Sequence, residues 1–167
     1  MFRDERSRDH RGGGVCVFIN KSLNARSVNA DFDNTYCNAV LTRIYLTKDC
    51  ILSILCCYIP PNVANNNFID FINYLSTVCL TLTSFIIVGD FNLPDIKWSS
   101  NLVPDDLKSR CFYDFVTTFG LSQLIDTCTR LTNILDLLLS DDPLLISSFN
   151  IAPPFDNSDH VSIDLSY

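Results

Sequence analysis

Three short stretches of this chain bring together residue types that can handle a phosphate group. Gly89-Asp90-Phe91-Asn92 follows the apolar run Phe85–Val88. Asp90 and Asn92 stand two residues apart, so on extended backbone they point the same way. A carboxylate there can accept a proton or orient water, and an amide can donate to an oxyanion. Ligands of α/β sheets gather at the carboxyl ends of strands, so the pair suits a metal–phosphate site, although an ordinary β-turn uses the same residues. Ser158-Asp159-His160 precedes the apolar stretch Val161–Leu165. A carboxylate next to a histidine suggests a metal ligand beside a phosphate contact; the plainer alternative is a turn that opens a strand and carries a surface histidine. Asp136 lies inside Ile134-Leu135-Asp136-Leu137-Leu138-Leu139. A charge in an apolar strand is costly unless it is paired, and an imidazolium is a natural partner that such a pair would orient.

These residues need strands and helices to hold them. Val15–Asn20 reads as a strand. Cys37–Leu46 alternates apolar and polar positions, as a half-buried strand does. Thr47-Lys48-Asp49 makes a turn, and the nearly continuous apolar run Ile51–Tyr58 reads as a buried strand stopped by Pro60-Pro61. Asn65-Asn66 could cap a helix over about Asn66–Cys79, whose apolar stripe is Phe68, Phe71, Ile72, Leu75, Val78 and Cys79. Asp105 or Asp106 could cap a second helix over about Asp106–Phe119, with Gly120 just past its end. Further strands are expected at Phe85–Val88, Ile134–Ser140, Leu144–Ile151 and Val161–Leu165. Strands interrupted by two amphipathic helices give a mixed-sheet α/β layered domain.

The chain has 167 residues, about one domain by length. Its 47% hydrophobic and 19% charged content excludes intrinsic disorder. No apolar stretch reaches the roughly 18 residues of a membrane helix, and Met1-Phe2 runs at once into charged residues, unlike a signal peptide. The net charge of −7 is unlike that of a general nucleic-acid binder, although Arg3, Arg6, Arg8 and Arg11 crowd an Arg-rich lead-in over residues 1–13. The eight cysteines include no C-x-x-C pair, and most sit in apolar runs, where a reduced thiol behaves as a small hydrophobe. His10 and His160 are the only histidines, and neither stands at zinc-ligand spacing from a cysteine pair. This usage points to a reducing, intracellular compartment.

Taken together, the motifs resemble the endonuclease/exonuclease/phosphatase family, and most of all the endonuclease domain of non-LTR retrotransposons. The matching segments are Arg11-Gly12-Gly13-Gly14-Val15, Tyr58-Ile59-Pro60-Pro61, Gly89-Asp90-Phe91-Asn92, Thr129-Arg130 with Ile134-Leu135-Asp136, and Ser158-Asp159-His160. The resemblance implies a two-sheet α/β sandwich of the DNase I-like type over residues 14–167. It implies a Mg²⁺-dependent endonuclease that nicks DNA in the nucleus, with a reverse transcriptase domain in the full-length element. Asp90 would orient or deprotonate the attacking water, and Asn92 would hold the scissile phosphate with Tyr58 as a donor against it. Asp159 would help bind the metal. His160, held by Asp136, would stabilise the phosphorane, and Thr129 would contact phosphate or DNA. The family's fold opens with an Asn-bearing strand and a second strand ending in a Glu that is the main metal ligand. Glu5 is the only glutamate here, and it lies in the Arg-rich lead-in without an apolar strand before it. The expectation is therefore an N-terminally incomplete domain, weakly active or inactive and prone to aggregate. The alternative function is a mobile-element remnant or interaction module without catalysis.

Overall fold

The structure is a computed structural model that describes residues 1–4, 14–28 and 36–166. Most of the Arg-rich lead-in, Glu5 included, lies outside the described residues. Phe2–Asp4 forms β1, which pairs antiparallel with β2, Val15–Val17. The first residues of the lead-in thus belong to a strand.

The alternating segment expected around Cys37–Leu46 is β4, Asn38–Tyr45, and the apolar run is β5, Ile51–Tyr58. They pair antiparallel along their full length. β3, Ala25–Val28, adds an edge strand beside β4. From β5 the chain crosses through α1, Asn65–Cys79, into β6, Phe85–Asp90, which pairs parallel with β5. The buried residues of α1 are the six of its expected stripe. Its N-cap is Ala64, however, with no side-chain cap. The asparagines proposed as caps fall inside the first turn.

α2, Leu107–Thr118, begins after Asp106, whose carboxylate accepts from the Ser109 N–H at 3.0 Å. Gly120 follows it at φ +61°. β7, Ser122–Gln123, and β8, Asp136–Ser140, complete a sheet of order β3-β4-β5-β6-β8-β7. Pro143–Leu145 is a short 3-10 turn, capped by Asp142 and opened by the proline, where a strand was expected. β9, Ser148–Ala152, starts after it and forms a separate antiparallel ribbon with β10, Ser162–Ser166.

Side chains alternate across the central sheet. Leu55, Phe85, Ile87, Leu137 and Leu139 meet Phe68, Phe71 and Leu75 of α1 and Phe112, Phe115 and Val116 of α2 in one large core. Both helices therefore cover the same face. The other face has a small cluster of Ile86, Ile125 and Leu138, against which Ile54, Val88 and the ribbon's Ile163 pack. The large sheet and the ribbon are thus two β-layers of very unequal size.

Candidate active site

Strand register assembles a polar row across the sheet. Asn38 is paired with Tyr58, Tyr58 with Asp90, and Asp90 with Asp136. Directly opposed residues share a face, so four strands offer side chains at one level. In β6, Ile87 faces the helices while Ile86 and Val88 face the ribbon. Two-residue periodicity then puts Asp90 on the ribbon side, and the same count puts Asp136 there with Leu138. Asn38 is only 2% exposed. Sequence reasoning did not single it out, because a polar residue in an alternating strand reads as solvent-facing.

Gly89 lets β5 and β6 approach at this level. Its φ is +147°, and a Cβ there would stand 1.9 Å from the Cys57 carbonyl oxygen. Past Asp90 the chain turns sharply. Asn92 has φ +50°, its backbone N–H donates to Asp90 Oδ1 at 3.2 Å, and its amide donates to the Ile59 carbonyl at 2.9 Å. An amide has two N–H donors, so this bond uses one of the two.

His160 stands beside Asp136 with Nδ1 2.7 Å from Asp136 Oδ2. A carboxylate can only accept, so Nδ1 carries the proton and Nε2 is left for other partners. Both side chains are 21% exposed, sheltered yet reachable. Burial pushes the Asp90 carboxyl above its ordinary range, and the Asp136 carboxylate adds to the rise. The nearby His160 and hydrogen bonds from Asn92 only partly offset these effects. Asp90 is thus set apart from an exposed carboxylate by its surroundings.

Asp159 lies on the surface. Its Oδ2 accepts from Arg130 Nε at 2.8 Å and pairs with Nη2 at 2.6 Å, while Oδ1 is 4.0 Å from His160 Nε2. The Arg130 hydrogen bond holds this carboxyl below its usual range. Ser158 shapes the turn, its hydroxyl accepting the His160 N–H at 3.1 Å. Thr129 is fully buried, and its hydroxyl accepts the backbone N–H groups of Leu135 and Asp136, each at 3.0 Å. Thr129, to which the resemblance gives a phosphate or DNA contact, is thus buried, with its hydroxyl engaged by the backbone.

The sequence therefore places Tyr58, Asp90, Asn92, Asp136 and His160 around one end of the sheet, with Asp159 at its rim. A mostly apolar cavity of about 290 Å³ runs from Asp136 under the ribbon, between Val88 and Leu138 on one side and Val161 and Ile163 on the other. Among the described residues, no three His, Cys, Asp or Glu side chains converge as a metal site. The one carboxylate expected to bind metal is paired with a guanidinium. These residues do not by themselves fit a divalent ion.

Comparison with known proteins gives the following. A family model described as endonuclease-reverse transcriptase matches residues 52–164. No curated protein sequence matches significantly. Among solved structures, the endonuclease domain of TRAS1, described as a telomere-specific non-LTR retrotransposon, superimposes with a TM-score of 0.68 at 17% identity. The alignment covers 86% of this chain and 68% of that one. At that identity the likeness shows the fold, which is the mixed α/β, DNase I-like arrangement of a large central sheet and two helices.

Proposed function

This chain belongs to the endonuclease-reverse transcriptase family, and we propose that it acts as the DNA-nicking endonuclease domain of a non-LTR retrotransposon. The observation that carries this reading is the 2.7 Å pair of His160 and Asp136 set one strand away from Asp90.

Hydrolysis of a phosphodiester needs a water made nucleophilic and donors aimed at the charge that develops on the phosphorane. Asp90, ionised, accepts a proton from the attacking water or orients it. The Nε2 side of His160 faces the negative charge, and Asp136 keeps the ring in the tautomer and orientation that this requires. The second amide N–H of Asn92 and the Tyr58 hydroxyl hold phosphate oxygens. Mg²⁺ enters this reading as the family's ion. A reverse transcriptase domain in the same element and a nuclear place of action belong to the same proposal.

A second reading, a nucleic-acid-binding or interaction module without hydrolysis, is favoured by the Arg130–Asp159 pair and the lack of a three-ligand metal group among the described residues. Nicking of supercoiled plasmid separates the two. On the endonuclease reading the parent nicks above background in Mg²⁺ buffer, and Asp90→Ala and His160→Ala lower that rate by about 10²–10⁴-fold, as loss of acid–base groups does. Equal background from all three proteins would refute the endonuclease reading, and DNA binding retained without nicking would support the module.

A further inference from the structure

We propose that Thr129 is the positioning residue of the His160–Asp136 pair, fixing through the backbone the distance between two strands that otherwise do not pair. The proposal rests on the endonuclease reading only for its effect on nicking.

Asp136 opens β8 in the large sheet, whereas His160 immediately precedes Val161 and β10 in the ribbon. No ladder joins β8 to β10. The bonds of Thr129 bridge that gap. Its hydroxyl accepts the N–H groups of Leu135 and Asp136 at 3.0 Å each. Its carbonyl accepts the Val161 N–H at 2.9 Å, and its own N–H donates to the Asn133 carbonyl at 2.9 Å. One residue thus grips the backbone of the acid on one side and of the residue after the histidine on the other. The next residue, Arg130, binds Asp159, the other neighbour of His160.

Accepting two successive backbone N–H groups fixes the peptide plane that carries Asp136. A hydroxyl has two acceptor lone pairs, so both bonds are met by one oxygen, and a methyl in its place meets neither. Burial makes the loss matter, because no water reaches an atom with no exposed surface. Thr129 touches neither substrate nor reacting atoms. It acts through Asp136.

Thr129→Val keeps the shape and removes the acceptor, while Thr129→Ser keeps the acceptor and removes the methyl. The first readout is the downfield imidazole N–H proton of His160, seen by NMR in the whole chain without DNA. It is independent of whether the protein is a nuclease. The expected result is a parent resonance preserved in Thr129→Ser and lost or markedly shifted in Thr129→Val, with both variants folded by circular dichroism. The second readout is nicking, where kcat is expected to fall about 10- to 100-fold in Thr129→Val, as misplacement by ~1 Å does, with KM little changed and Ser restoring the rate. An unchanged resonance in a folded Thr129→Val variant would overturn the proposal. If Thr129→Val does not fold, Thr129→Ser decides alone: loss of the resonance in that folded variant overturns the proposal, and its retention supports it. A preserved NMR pattern with no nicking in the parent would sink the endonuclease reading and leave the positioning role standing.

Discussion

Asp90 is kept where its charge is costly. Burial and the Asp136 carboxylate raise its pKa above the ordinary value of 3.8. Between that value and the raised one, the folded chain binds more protons than the unfolded chain. Stability therefore falls as pH rises through this window, and the penalty stays constant above it. Asp90→Asn should remove the penalty. Its urea midpoint is expected to exceed that of the parent at neutral pH, with the gain shrinking as pH falls toward the ordinary carboxylate range. The same substitution removes the proton acceptor, so nicking should drop by about 10²–10⁴-fold. In the parent, nicking should rise with pH along a limb lying above the range of an exposed carboxylate, because only ionised Asp90 accepts a proton. Initial rates from about pH 4 to about pH 8 check this, and a flat profile there would remove Asp90 from the proton-transfer step. Asp90, Asn92, Asp136 and His160 were legible in the sequence because acids, amides and histidine stood out against apolar runs. Asn38 was not, since its burial follows from register with Tyr58. Nor was the Arg130–Asp159 pair, whose partners are 29 residues apart.

Two elements set the geometry around these residues, and each can be broken singly. In β6, Gly89 combines φ +147° with a backbone contact that no side chain could tolerate. Gly89→Ala must shift β6 away from β5 or strain the backbone, and overpacking costs about 1–3 kcal/mol or more. The expected outcome is an unfolding free energy in urea lowered by at least that amount, or failure to fold. An Ala variant as stable as the parent would mean that the strands are farther apart than described. In α2, Asp106→Ala removes the N-cap bond to Ser109 and should cost about 1 kcal/mol in denaturant unfolding. Thr or Asn at this position should recover most of it. β5, α1 and α2 were readable because their periodicity runs over many residues. β7 has two residues and no period to read. β3 carries Arg26 and Ser27 between Ala25 and Val28 and has no alternating apolar face. Leu144 and Leu145 read as strand by hydrophobicity, but Pro143 and the Asp142 cap hold them in a 3-10 turn that leaves Leu144 in solvent.

Across the whole molecule, the two faces of the sheet are held with unequal strength, and the candidate site residues straddle the difference. The helical face is one continuous core around Phe68, Leu55, Ile87 and Leu139. The ribbon packs on a small cluster of Ile86, Ile125 and Leu138, and the ends of β9 and β10 are exposed. The sequence showed that two amphipathic helices needed a sheet to cover. It did not show that both would choose one face, because periodicity reports that a face is apolar and not which layer meets it. A two-stranded ribbon is marginal alone, and beyond Ile163 and Ile146 this one is tied to the rest by bonds such as Val161 to Thr129. Local opening costs least where buried apolar contacts are few, so β9 and β10 should open without the sheet. Each opening carries His160 away from Asp136, which stays in β8. Amide hydrogen exchange should show β5, β6 and β8 protected to near the global unfolding free energy, with Ser148–Ala152 and Ser162–Ser166 exchanging much faster. Duplex DNA that engages His160 should slow exchange in the ribbon and leave β5 unchanged. Ribbon amides as slow as those of β5 would mean that the second face is as firmly closed as the first. Fast ribbon exchange unaltered by saturating DNA would separate His160 from substrate binding.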